Sequence, residues 1–210
     1  MPSPTALLLF AAASIALLVV PGPAVLYVVT RSVSQGRRAG LVSVLGVHAG
    51  SGVHVAAAAF GLSALLASSA TAFAIVKYLG AAYLVWLGVQ KLRTRQDSGT
   101  APEAPPVPPR RLFVQGIVVN VLNPKTAIFF LAFLPQFVDP TRGPVALQIL
   151  VFGACFIVLG MLSDGGYALL AGALSGRVRR TARSRRRLDR ASGVVYLGLG
   201  AGAALASRSA

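Results

Sequence analysis

Long apolar stretches, separated by short basic or turn-forming segments, set the elements this chain predicts. An uncharged run from about Ala6 to Val29 is enough for one helix across a bilayer, which takes about 20 residues. The uncharged sequence from Leu41 to Val76 is too long for a single crossing. The Ser68-Ser69-Ala70-Thr71 cluster reads as a turn within it, which predicts a second span near Leu41–Leu66 and a third near Ala72–Leu92. A fourth, about Leu112–Leu134, is interrupted by Asn123-Pro124-Lys125. A fifth runs from about Val145 to Leu170 and contains Asp164. The sixth, about Ala191–Ala206, is short and rich in Gly and Ala. The expected fold is all-α: a polytopic membrane protein of six transmembrane helices.

Composition agrees. Of 210 residues, 55% are hydrophobic and 12% charged, with a mean hydropathy of +0.72. Soluble domains carry about a quarter of their residues as charges. An ordinary globular enzyme domain, a disordered chain and a collagen-like repeat are thereby excluded. The one cysteine, Cys155, allows neither an intrachain disulfide nor a CxxC redox pair, which disfavours a transmembrane thiol–disulfide carrier.

A net charge of +15 raises nucleic acid as a partner, but the distribution of the charge argues for topology. Arg31, Arg37 and Arg38 fall in the first connection, and Lys91, Arg93, Arg95, Arg110 and Arg111 in the third. Arg177, Arg179, Arg180, Arg183, Arg185, Arg186, Arg187 and Arg190 fill the fifth. Only Lys77, Lys125, Arg142 and Arg208 lie elsewhere. Cytoplasmic loops gather Lys and Arg, so the odd connections are expected in the cytoplasm and both termini outside. The basic balance needs no nucleic acid; the arginines of the fifth connection also suit anionic lipid heads. The first residues, Met1-Pro2-Ser3-Pro4-Thr5, lack the basic start of a cleaved signal peptide, so the first helix is expected to persist.

A Pro-rich cytoplasmic linker, residues 96–111, divides the chain into a first three-helix repeat, 1–95, and a second, 112–210. Three helices per half would insert the halves upside down relative to each other. Lys77-Tyr78-Leu79-Gly80-Ala81-Ala82-Tyr83-Leu84 in span three and Arg190-Ala191-Ser192-Gly193-Val194-Val195-Tyr196-Leu197 in span six share a basic-x-x-Gly-x-x-Tyr-Leu pattern. Spans one and four are both broken by proline. Inverted repeats with matching broken helices point to a secondary transporter with its site near the midplane, although Tyr and Gly also recur in membrane helices generally.

Candidate chemistry sits at the breaks. Pro21, Gly22 and Pro23 should open span one, since proline removes a backbone donor and clashes with the preceding turn; the plain alternative is a kink that only shapes packing. In span four, Asn120, Asn123, Pro124 and Lys125 stand among Val, Ile, Leu and Phe. A central Lys costs about 2.5–3.5 kcal/mol to insert. Lys125 therefore either snorkels toward an interface or faces a polar cavity, paired with a substrate carboxylate or with Asp164. Asp164 is the only acid within a predicted span and a candidate for proton coupling; an interfacial cap is its plainer role. Straight helices would leave it roughly 10 Å in depth from Lys125.

His48 and His54, six residues apart, lie about 240° around one helix and do not share a face, so a metal pair is disfavoured and each reads as a packed or hydrogen-bonded core histidine. Gly46, Gly50 and Gly61, with Ala49 and Ser51, give span two a small surface for close packing. No Ser/His/Asp set, phosphate loop, catalytic carboxylate pair or metal cluster is apparent in the sequence, and no cofactor is expected.

Pro21-Gly22-Pro23, Gln35-Gly36-Arg37-Arg38-Ala39-Gly40, Leu122-Asn123-Pro124-Lys125 and Phe130-Leu131-Ala132-Phe133-Leu134-Pro135-Gln136-Phe137 together resemble the bacterial LysE/RhtB family of lysine and threonine/homoserine exporters. Tyr78–Leu84 and the segment from Ser192-Gly193 to Gly200 resemble it too, so the likeness covers nearly the whole chain. The Pro-rich linker and the Arg-heavy fifth connection depart from the pattern. The resemblance implies an inner-membrane exporter of amino acids or related metabolites, coupled to the proton gradient. Its partners would be a zwitterionic amino acid, whose amino and carboxylate ends freed backbone groups with Asn120 and Asn123 would bind, protons and the lipid bilayer, with a homo-oligomer as a compatible assembly. An exporter of a metal or inorganic ion, an intramembrane enzyme and a non-transporting membrane protein are the alternatives.

Overall fold

The computed structural model describes residues 1–68 and 107–173 together with Val89, and side chains of the first stretch to residue 61. The predicted third and sixth spans, the Tyr-Leu repeat they share, most of the linker and the fifth connection lie outside the described residues. Within them every regular element is helical.

Helix α1 spans Pro4–Val19, capped by Ser3, whose hydroxyl accepts from the Ala6 amide at 3.1 Å. It stops where Pro21 pushes Val20 into extended backbone (φ −75°, ψ 117°). Helix resumes at once in α2, Pro23–Ser68, which contains one non-helical residue, Gly36 (φ 83°, ψ 174°). Only glycine adopts that backbone without strain, and the chain reverses there. A Cβ on Gly40 would run into the Ser32 side chain, and Ala24 and Val28 cluster with Val44 and Val47. Two arms, 23–35 and 37–68, therefore form a hairpin. The second begins four residues before the predicted Leu41, because Arg37 and Arg38 continue the helix.

Helix α3, Pro109–Val121, starts on a proline in the first turn. A non-helical step at Leu122–Asn123 separates it from the short α4, Pro124–Ile128, and the pair is bent by 50°. A π-helical turn, Phe129–Phe133, and a 3-10 turn, Leu134–Phe137, carry the chain on. A second 3-10 turn, Pro140–Arg142, leads to α5, Val145–Ala173. Pro23–Gly61 and Val145–Ala173 are long and apolar enough to cross a membrane, and the bent pair makes a third candidate. The reversal at Gly36 divides the first of these between the two hairpin arms.

Contacts at the two ends fix how the elements run. At one end the Met1 ammonium donates to the Arg142 carbonyl. At the other, the Val107 amide donates to Gln35 Oε1 at 2.7 Å and Arg31 to Gln115 Oε1 at 3.3 Å. Gly172 abuts Arg37 there. Helix α5 joins the two ends, a rise of about 43 Å. So α1 with the 23–35 arm runs once from the Met1 end to the Gly36 end, in two pieces, and α3–α4 with the turns after it runs back in two pieces.

Helices α3 and α5 pack chiefly on α2. A Cβ on Gly46 would meet the Phe113 carbonyl, one on Gly50 the Ile117 carbonyl at 2.8 Å, and one on Gly116 the Ser43 carbonyl at 2.8 Å. This is the small-residue crossing that lets membrane helices approach without a hydrophobic driving force. Gly61, expected in the same surface, touches nothing within 4 Å. Outward faces carry Leu8, Leu9, Phe60, Leu122, Leu162 and Leu170, all largely exposed, whereas polar side chains gather inside.

Candidate functional site

Both proline breaks open onto one buried polar centre. The Gly22 carbonyl already accepts from the Leu26 amide at 2.9 Å, and the Lys125 ammonium reaches across to donate to the Val20 carbonyl at 2.6 Å. Lys125 is only 7% exposed, with its side chain in the interior and not snorkelled to an interface. Gly22 lines the cavity beside it; Pro21 and Pro23 shape the break without lining it. Pro124 likewise starts α4 from an exposed position.

Asn120 is the hub. Its Nδ2 donates to the Val47 carbonyl and to Ser51 Oγ, both at 2.9 Å. Its Oδ1 accepts from Thr126 Oγ1 at 3.0 Å and, at a longer 3.4 Å, from Asn123 Nδ2. His54 Nε2 pairs with its main-chain carbonyl at 2.9 Å. Every donor and acceptor of the Asn120 amide is committed, which suits it to hold the break in shape. Asn123 caps α4, its Oδ1 accepting from the Lys125 amide at 3.1 Å.

Asp164 does not take Lys125 as its partner here. Its Oδ2 pairs with His48 Nε2 at 3.1 Å, both side chains buried. Ser51 Oγ stands 3.5 Å from the other ring nitrogen, Nδ1. The sequence reading, which found no Ser/His/Asp set, is corrected: Ser51, His48 and Asp164 form a file, because helix α5 lies along α2. The His48 ring fits where Gly160 has no side chain, since a Cβ there would collide with it. Sequence reasoning read His48 as a core histidine and Ser51 as a packing residue, and passed over Thr126. One signal was present: Val44, Val47, His48, Ser51 and Val55 recur at helical spacing and are all buried.

Lys125 and Asp164 nevertheless line the same cavity, of about 30 Å³, with His48, Ser51, Asn123 and Thr126. That holds about one or two waters, so a larger solute requires the lining helices to part. Toward the Met1 end the cavity abuts a cluster of tilted and edge-on aromatics: Phe156 against Phe129 and Phe130, with centroids at 5.3 and 5.0 Å, and Phe10 against Phe152 at 4.8 Å. Toward the Gly36 end, Ala24, Val28, Val44, Val47 and Ala168 pack together.

Residues 15–207 match the model of the LysE type translocator family. The chain belongs to that family. Among relatives of this LysE-type protein, an uncharacterized membrane protein of Vibrio cholerae is 34% identical over 180 residues, 86% of this chain and 87% of the relative. A homoserine/homoserine lactone efflux protein of Salmonella typhimurium is 34% identical over 181 residues, with the same coverage. A leucine efflux protein of Salmonella choleraesuis is 34% identical over 129 residues, 61% of each chain. No solved structure matches. The LysE-type chain is thus a membrane protein of a translocator family, and its Ser51–His48–Asp164 file lines the cavity where the two broken helices meet.

Proposed function

We propose that this translocator exports amino acids or closely related metabolites across the bacterial plasma membrane, driven by the proton gradient, by alternating access at the cavity between its two broken helices. The meeting of the breaks, with Lys125 on the Val20 carbonyl, is the observation that carries the reading. Irregular backbone at membrane depth is tolerated where it lines a cavity, and broken helices around a central site serve small charged solutes in transporters. The efflux activities named for the Salmonella relatives support an amino-acid cargo.

The full architecture in this reading is six helices in two inverted repeats, 1–95 and 112–210, joined by the 96–111 linker. Support comes from the first crossing of each half, which is the broken one. Arg31, Arg37, Arg38, Arg110 and Arg111 belong to the Gly36 end, which supports a cytoplasmic side there by the positive-inside rule. Met1 at the opposite end then lies outside. Pro21, Gly22, Pro23 and Pro124 keep the crossings open, Asn120 and Asn123 fix the break, Lys125 receives the substrate carboxylate, and Asp164 takes part in proton coupling. The aromatic plug is the outer gate and the Ala24–Ala168 contact the inner one.

Comparative analysis of the medium after overproduction, with and without a protonophore, tests this. Enrichment of one or more amino acids that the protonophore abolishes is expected. An unchanged amino-acid profile contradicts the reading.

A further inference from the structure

We propose that His48, when protonated, and the substrate's ammonium group compete for Asp164, and that this competition is what exchanges a proton for each exported molecule. The inference rests on the amino-acid reading above and adds its coupling chemistry.

Asp164 uses only half of its carboxylate in the closed cavity. Oδ2 meets His48, while Oδ1 is buried without a hydrogen-bond partner among the described residues. A buried, unmatched carboxylate oxygen is costly, and an ammonium group brings three donors to satisfy it. An ionised carboxylate only accepts, so neutral His48 holds its hydrogen on Nε2, toward Asp164. A further proton then joins at Nδ1, on the side of Ser51 Oγ.

Among the described residues, few other charges face this pair. On α4 there is Lys125, which lines the cavity. On α5 there is Tyr167, whose hydroxyl donates to the Val19 carbonyl at 2.7 Å. On α2 there is His54, turned to the Asn120 carbonyl. Among the described residues, the α1 end, the break after it and the 23–35 arm offer Leu17, Leu18, Gly22, Ala24 and Val25 beside it. Among these groups histidine is the type whose ordinary titration falls between pH 5 and 8, and His48 alone touches Asp164.

Opposite charge balances follow. With His48 protonated the pair is neutral and an arriving ammonium meets an imidazolium. With His48 neutral the pair carries one negative charge and attracts the ammonium, while Lys125 attracts the carboxylate. Substrate binding therefore expels the Nδ1 proton to water on the side then open. On the more acidic outer side a proton returns to Nδ1 and displaces the substrate. Two species excluded from one site by each other are the requirement for antiport.

The test uses the purified full chain in proteoliposomes, with radiolabelled L-homoserine and L-leucine exchanging at equal pH on both sides. Wild type is expected to lose apparent affinity as pH falls from 8 to 5.5, approaching about tenfold per pH unit. His48→Gln, whatever its absolute rate, is expected to show a pH-flat affinity and no accumulation driven by a pH gradient. Persistent gradient-driven accumulation by His48→Gln overturns the proposal while leaving the exporter reading intact. Absence of exchange by wild type with any of the twenty standard amino acids or homoserine overturns the exporter reading and this inference with it. Should His48→Gln not fold, wild type in weakly buffered detergent decides alone: saturating substrate is expected to release up to about one proton per molecule bound, and no release overturns the proposal.

Discussion

The buried ammonium of Lys125 is bonded to the Val20 carbonyl at 2.6 Å, so a residue of the second half closes the frayed helix end of the first. The C-terminal end of a helix carries partial negative charge, which makes the Val20 carbonyl a good seat for a cation. One bond thus ties together the two places where proline interrupts a crossing.

Lys125→Met keeps the length of the side chain and removes its charge. Apolar replacement of a buried ion is often neutral or stabilising, while the orphaned Val20 carbonyl costs about 1–3 kcal/mol. Thermal unfolding should therefore shift by no more than about 2 kcal/mol, with export reduced at least about tenfold, a loss of about 1.4 kcal/mol in transition-state terms. Efflux at the wild-type rate would show that Lys125 only braces the break.

Asn120→Ala behaves differently. It leaves the Val47 carbonyl without its side-chain donor and the Thr126 hydroxyl without its acceptor, and should destabilise the protein by about 2–4 kcal/mol, more than Lys125→Met. Unfolding midpoints of the two variants in one detergent rank them; the reverse order would remove Asn120 from its place as hub.

The breaks were legible in the sequence because proline acts on its own neighbours: Val20 and Asn123 take extended backbone just before Pro21 and Pro124. The turn at Gly36 was less so. Hydropathy reports where lipid is, and the helix runs on through Arg37 and Arg38, outside the apolar run. Pairing His48 with Asp164 lay beyond reach, since 116 positions separate them and only the lie of α5 on α2 brings them together. The roughly 10 Å of depth inferred between Lys125 and Asp164 assumed straight helices; the 50° bend between α3 and α4 removes that assumption, and both residues reach one cavity.

Two neighbouring glycines separate space from propensity. Gly160→Ala places a methyl group in the His48 ring, and such overpacking costs about 1–3 kcal/mol. Gly165→Ala meets nothing within 4 Å and should be neutral or gain up to about 1 kcal/mol of helix propensity. Parallel thermal melts check the pair. Equal stability of the two variants would mean that His48 is not seated against Gly160.

At the Met1 end, Asp139 accepts from the Thr141 hydroxyl at 2.6 Å and from its amide at 2.9 Å. These bonds, aided by Arg142, hold its carboxyl below the ordinary 3.8. A lowered native value means that the turn is supported above that pH and loses support as pH falls through the native titration. A side-chain NMR titration should place the Asp139 midpoint below 3.8, with the Thr141 amide losing exchange protection alongside it. A midpoint above 3.8 would contradict the cap.

Cysteines at Leu18 and Thr126, which face the same cavity from opposite breaks, test the central claim most directly when introduced together in a Cys155→Ala background and treated in intact membranes with short bis-methanethiosulfonate reagents. A bridge between them that arrests export, and export that returns on reduction, is the predicted result. Single labelling of both cysteines without any bridge would mean that the broken crossings do not meet.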